Sequence, residues 1–212
     1  MAAEVTLTFD NGPDTETTPG VLAALAERDL RATFFVVGEK LAAAREPAER
    51  AHAEGHWIGN HTWTHRAPFG RLDDASAPHR EIERTQALIG ALAHPDRLFR
   101  PVGGGGELGP HVLTPETVEV LVAGGYTCAL WNAVPGDWRD PDAWVERALE
   151  QCRGTGRALL VLHDLPTGAM DHLERFLDAA LAEGMRFIQA FPEACLPIVR
   201  GEVVRPLDRL GG

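Results

Sequence analysis

The sequence predicts an α/β fold with a mostly parallel sheet, and three observations predict it. Short β-branched or apolar runs alternate with helical patterns along the chain. One run, RALLVLHD from Arg157, is almost continuously apolar, as a strand covered on both faces requires. Polar and ionisable residues recur where strands end, and repeated strand–loop–helix units with polar exits suggest closure into a barrel. The 212 residues suffice for one buried core, and no glycine-rich linker divides them, so a single domain over residues 1–212 is expected.

The elements follow in order. Val5–Phe9 is short and β-branched and reads as a strand. A turn-rich DNGPDTETTPG follows, and Pro19 opens a helix with Val21, Leu22, Leu25 and Ala26 on one face. RATFFVVG is a second strand, and the Ala- and Glu-rich stretch after it is helical, interrupted at Pro47. HWIGNHTWTHR is a strand end entering a polar loop, and Ser76 to Leu92 reads as one helix with i to i+4 charge spacing. RLFRPVG is a strand with its exit loop. TPETVEVLVAGG is a helix capped by Thr114, with Pro115 in its first turn and Gly124 or Gly125 ending it. YTCALWNAV, RALLVLHD and MRFIQAF are strands, separated by the helices DPDAWVERALEQC and MDHLERFLDAALAEG.

Composition narrows the function. The net charge is -11, and basic residues occur singly, so nucleic acid and anionic membranes are not expected partners. Three cysteines without regular spacing argue against a disulfide framework, and Cys128 sits in an apolar run as packing. The first strand begins almost at once, without a basic leader, and no run of eighteen apolar residues exists, so a cytoplasmic location is expected. The sequence does not address the oligomeric state.

Four strand ends carry reactive groups: Asp10 and Asn11, His61 and His65, Arg100, and His163 with Asp164. Strand exits at one end of an α/β sheet converge on a shared crevice. His61 and His65 are four apart, so on a helical turn they would face one side and hold one metal ion; the alternative is a pair of hydrogen-bonded surface histidines. Two imidazoles and one oxygen suit zinc, with cobalt, manganese or nickel also accepted. Asp10 is a third ligand or a base, or else the Asx residue of its turn. Asn11 is a turn residue or a neutral metal ligand. His163 ends a buried strand as a candidate general acid, with Asp137 or Asp164 as its partner. Arg100 pairs with Asp10 or forms a purely structural ion pair. Trp57, Trp63, Trp131 and Trp138 lie near these loops as sugar-binding walls or as core packing. The Gly103–Gly106 run lacks the lysine of a phosphate-binding loop, which disfavours nucleotides.

These motifs, in this order, resemble the polysaccharide deacetylases of the NodB-homology type, carbohydrate esterase family 4. TFDNGP is similar to the family's TFDDGP, HTWTH to H(S/T)xxH, RPVGG to RxPxG, GDW to the end of DxxDW, and VLH to LxH. The resemblance implies a distorted (β/α) barrel of about seven mostly parallel strands. It implies metal-dependent hydrolysis of a carbon–nitrogen amide bond, removing acetyl from an N-acetylated sugar or related small amide. Asp10 then matches the catalytic base, Arg100 the residue orienting it, and His163 the general acid. His61 and His65 match the metal ligands, with Asn11 where an aspartate is usual. The backbone near Pro101, Val102 and Gly103 matches the oxyanion site, Leu162 the apolar lining of the acetyl pocket, and Trp138 a substrate contact. Val134 stands where an aspartate commonly tunes the acid, leaving Asp137 or Asp164 to do so. Two alternatives accompany this reading: a carbohydrate-binding relative without turnover, and a hydrolase of a cyclic ureide or imide.

Overall fold

The fold is organised on β1 (Glu4–Asp10), a strand buried along nearly its whole length. Side chains alternate across a strand. Val5, Leu7 and Phe9 enter the main apolar core, whereas Thr8 and Asp10 turn to the other face and bond polar groups there. The computed structural model describes residues 2–207; Met1 and residues 208–212, which the expected domain also included, lie outside the described residues.

Around β1 the strands β2 (Thr33–Val36), β3 (Trp57–Asn60), β4 (Leu98–Phe99), β5 (Thr127–Cys128), β6 (Arg157–His163) and β7 (Arg186–Phe187) pair in parallel. The sheet order is β6-β1-β2-β3-β4-β5, continued by the antiparallel pair β8 (Ile198–Val199) and β9 (Glu202–Val203). Closure comes from the segment after β5: Ala133 bridges Leu160 of β6, and the Asn132 side chain bonds the backbone of Arg157 and Leu159. β7 takes the first residues of β1 while β2 takes its last three, which distorts the barrel. Seven parallel strands on a curled sheet match the fold expected from the resemblance.

The helices pack outside. Helices α1 (Thr17–Ala26), α6 (Trp144–Thr155) and α7 (Leu173–Ala182) set Val21, Leu22, Leu25, Trp144, Leu149, Phe176 and Leu177 against the outer faces of β1 and β6. The helical stretch near Pro47 is two helices, α2 (Gly38–Ala43) and α3 (Glu46–Ala53). The break precedes the proline, which has no N–H to donate to the Ala43 carbonyl and is tolerated only in the first turn of a new helix. The single helix expected over Ser76–Leu92 is instead a π-helical turn at His79–Glu83, a short α4 (Arg84–Ile89) and a 3-10 turn, with Gly90 at φ 55 ending the regular part. Helix α5 (Pro115–Ala123) has the expected cap: Thr114 Oγ1 accepts from the Thr117 N–H at 3.3 Å, and Gly124 closes it. The hairpin β8–β9 is absent from the sequence reading. Its turn residues Arg200 and Gly201 both have positive φ, the geometry that matches the twist of a two-residue hairpin. No helix among the described residues is long and apolar enough to cross a membrane.

Phe35, Leu98 and Ala129 form a small apolar plug, with Trp57, Phe191 and Leu196 packed against it. Gly59 is needed beside it, because a Cβ there would lie 2.6 Å from the Phe35 ring. The Arg100 guanidinium rests on Phe35 at 4.1 Å and so adjoins this plug.

Candidate active site

Register brings the first two reactive groups together. Asp10 and His163 are paired residues at the ends of adjacent parallel strands β1 and β6, and both line one cavity of about 370 Å³. His61, one residue beyond β3, and Arg100, one beyond β4, reach the same layer. The Asp10 carboxylate accepts from Arg100 Nη1 at 2.8 Å and lies 3.6 Å from His61 Nε2.

Arg100 is fully buried, and four of its N–H donors are taken by Thr8 Oγ1 at 2.6 Å, Asp10, and the carbonyls of Ala129 and Leu130 at 3.1 Å. Burial alone raises the Asp10 pKa. The Arg100 charge outweighs it, with help from His61 and His163, and holds the carboxyl below its ordinary value. Asp10 is therefore an oriented carboxylate at neutral pH.

His163 is set from the other side. Asp137 accepts both the His163 backbone N–H and the ring Nδ1–H, each at 2.9 Å. Burial pulls the His163 pKa down, but the hydrogen bond and charge of Asp137 more than reverse it, and Asp10 and Asp164 add to the rise. Trp138 meets the ring edge-on at 4.6 Å. Of the two partners considered, Asp137 fills the role. Asp164 turns away: its Oδ2 accepts from Thr18 Oγ1 at 2.6 Å, its Oδ1 is buried without a partner, and burial pushes its pKa to about 7.

The two histidines meet without a helix. Residues 61–65 form a tight loop in which Thr62 and His65 have φ of 67 and 51. Asn60 Oδ1 takes the Thr62 N–H at 3.0 Å, Thr62 Oγ1 takes the His65 N–H at 3.1 Å, and Glu81 takes the N–H groups of Trp63 and Thr64. The rings sit 4.7 Å apart. The sequence reading named neither Asn60 nor Glu81; an asparagine and a hydroxyl spaced for an Asx-type turn were the available signal. Burial lowers the pKa of His61, and that of His65 to about 3, which keeps both rings neutral. His61 Nδ1 lies 2.8 Å from the Arg100 carbonyl, an acceptor, so Nδ1 carries the proton and Nε2 is left as a lone pair.

Pro101, Val102, Gly103, Trp131, Val134 and Trp138 complete the lining, together with Arg66 and Arg71. Leu162 does not line the cavity. It is fully buried in the main core, and Val161 occupies the lining, because side chains alternate along β6 and the face that carries His163 carries position 161. Trp57 packs on His94 and Phe191, and Trp63 packs under Arg84, so only Trp131 and Trp138 wall the site. Arg66 and Arg71 were also unforeseen; the sole clue was a cation directly after His65 in HTWTHR. Cys128, Cys152 and Cys195 are free and buried, with thiols pushed up to about 12, 12 and 11 by burial, as inert packing requires.

A family profile described as Polysaccharide deacetylase matches residues 2–128. The chain belongs to the polysaccharide deacetylase family. It is 32% identical over 164 residues to the chitooligosaccharide deacetylase of Bradyrhizobium sp., covering 76% of this chain and 70% of that protein. It is 29% identical over 187 residues to the peptidoglycan-N-acetylmuramic acid deacetylase PdaC of Bacillus subtilis, covering 87% of this chain but 37% of that protein. The chain thus spans about a third to two thirds of the length of several of these relatives. A crystal structure of a peptidoglycan N-acetylglucosamine deacetylase superposes with a TM-score of 0.72 at 25% identity, covering 88% of this chain and 86% of that one. Asp137 and His163 lie beyond the profile's match; strand pairing sets His163 beside Asp10, and Asp137 bonds the His163 ring.

Deacetylases of this family use a metal ion, and the side chains here fit one. Asn11 Oδ1 is buried without a hydrogen-bond partner, and Asn11 lines the same cavity as His61 and His65. Asn11 has φ 73, a left-handed conformation that asparagine tolerates. Among the described residues no three His, Cys, Asp or Glu side chains are grouped to hold a metal by themselves. The donor set therefore depends on the neutral oxygen of Asn11.

Proposed function

We propose that this chain hydrolyses the acetamide of an N-acetylated sugar. The observation that carries the reading is the facing pair at the ends of β1 and β6: a carboxylate held ionised by Arg100 and an imidazole held basic by Asp137, across one cavity. Groups whose environments drive their pKa values apart divide into base and acid. Asp10 takes a proton from the attacking water. His163, charged through its hydrogen bond to Asp137, gives a proton to the leaving nitrogen as the tetrahedral adduct collapses. Arg100 donates to Asp10 but lies too deep to touch substrate, so it orients and charges the base.

Asn11, His61 and His65 would hold a divalent cation, zinc first among the candidates because of the two imidazoles. Bound there, such an ion polarises the scissile carbonyl and makes water more acidic. Trp131, Trp138 and Val161 offer apolar faces to the sugar ring and the acetyl methyl. The reading is tested by acetate release from N-acetylglucosamine and its oligomers with zinc, cobalt or manganese. Chelator-sensitive turnover that vanishes in both Asp10→Asn and His163→Ala is expected. Its absence on every sugar and metal sinks the reading.

A further inference from the structure

The cavity has a sign opposite to that of the molecule. The chain carries 31 acidic against 20 basic residues. Yet among the described residues the only carboxylate on the cavity wall is Asp10, already neutralised by Arg100, while Arg66 and Arg71 stand there as two guanidiniums. Among the described residues neither has a carboxylate within 4.0 Å, whereas Arg80 on the following element is paired with Asp74 at 2.6 Å.

Arg71 is positioned, not merely present. It ends the 3-10 turn Phe69–Arg71, whose Phe69 is buried in the second apolar core. The Gly70 N–H bonds the His111 carbonyl at 2.9 Å, and a Cβ at Gly70 would meet the His111 backbone at 2.7 Å. Across the cavity mouth, Arg71 Nη1 lies 3.1 Å from where a Cβ on Gly104 would stand, so the glycine run admits this guanidinium. That run is itself fastened by Trp131 Nε1 to the Gly106 carbonyl at 2.7 Å and by Arg139 to the Gly105 carbonyl at 3.3 Å. Arg66 follows His65 directly and lines this cavity, and it also borders the neighbouring one that holds Asp73, Asp74 and Glu81.

From this arrangement we propose that the preferred substrate is an acidic N-acyl sugar, whose oxyanion, a carboxylate or a phosphate, is bound by Arg66 and Arg71 while its acetamide meets Asp10 and His163. The proposal deepens the deacetylase reading and rests on it for the acetamide end. Long-range repulsion by a molecule of net charge -11 disfavours an acidic ligand, and a local cationic pair offsets it. Guanidinium forks are suited to carboxylate and phosphate oxygens.

The test compares N-acetylmuramic acid, N-acetylglucosamine 6-phosphate and neutral N-acetylglucosamine by calorimetric titration, alongside acetate release. At least one acid is expected to bind about tenfold more tightly than the neutral sugar, and which acid does so names the anion. That preference is expected to fall about three- to tenfold in Arg66→Gln and in Arg71→Gln, and to shrink with added salt. Both positions are exposed, so the substitutions leave the core untouched. Equal affinity for all three sugars, no binding of either acid, or a preference unchanged in the double variant overturns the proposal. Acid-selective binding without acetate release refutes the deacetylase reading alone, and acetate release without acid preference refutes this inference alone.

Discussion

Replacing Asn11 by aspartate tests the metal site most directly. The amide oxygen is already buried and unpartnered in the cavity that His61 and His65 line, so the change adds a charge with almost no change of shape. Without metal, the new carboxylate shares the cavity with Asp10, and Arg100 is already committed to Thr8, Asp10 and the carbonyls of Ala129 and Leu130. Asp164 supplies a yardstick from the same molecule: a buried carboxyl with one hydroxyl donor, moved from 3.8 to about 7. A shift of that size corresponds to at most about 4 kcal/mol at neutral pH. Asn11→Asp is therefore expected to destabilise the metal-free protein by about 2–4 kcal/mol, a fall in Tm of roughly 5–15 °C for a chain of this length. With metal the sign reverses. A unit charge 4 Å from another at an effective dielectric of 20 is worth about 4 kcal/mol, largely offset by desolvation, so a net gain of about 1.4–3 kcal/mol is expected, or ten- to a hundredfold in zinc affinity. Thermal melts with chelator and with graded zinc, and calorimetric titration of zinc, read both effects. Equal metal-free melting temperatures together with unchanged zinc affinity would show that the position-11 side chain does not face the ion.

Three further outcomes follow from the geometry. Asp137→Asn removes the charge that raises the His163 pKa, so less of the acid is protonated at neutral pH; the alkaline limb of kcat/KM should move to lower pH and the rate should fall about 10²-fold, and an unmoved limb would exclude Asp137 as the tuning group. Asp164 has a folded pKa of about 7 against 3.8 ordinarily, so the folded state holds its proton more tightly and stability should drop as pH rises from about 4 to about 7; Asp164→Asn should flatten that part of the Tm–pH curve, and a curve of unchanged slope contradicts the assignment. Leu162→Ala should cost about 2–5 kcal/mol of stability in denaturant melts while sparing KM, whereas Val161→Ala should change kcat/KM with a smaller stability loss; the opposite pattern would return Leu162 to the cavity.

The sequence shows most of this fold because each long element satisfies one period only. RALLVLH buries both faces of β6, and Thr114 with Pro115 announces the start of α5. Legibility fails where tertiary closure decides. YTCALWNAV looks like one long strand, yet only Thr127–Cys128 pairs with β4, because the chain must leave β4 to reach β6 through Ala133. The hairpin at Arg200–Gly201 was visible only as a glycine between two short apolar runs, too little to set against the helix–strand rhythm before it.

The site divides on the same principle. Asp10, His61, Arg100 and His163 were legible because a strand end fixes where a residue sits, and parallel strands end together. What a residue touches is settled by other elements, and there one sequence admits two answers. Asp137 and Asp164 are both close to His163 along the chain or in space, and only the loop after β5 turns Asp137 onto the ring while Thr18 draws Asp164 away. Leu162 and Val161 differ by one step of a two-residue period, so a motif that aligns letters without orienting the strand selects the wrong face. Arg66 and Arg71 belong to no motif, and Arg71 faces the Gly103–Gly106 loop, a segment remote in sequence and fastened by Trp131. Strand ends thus fix the floor of the cavity, and loops that only the closed barrel brings face to face fix its mouth.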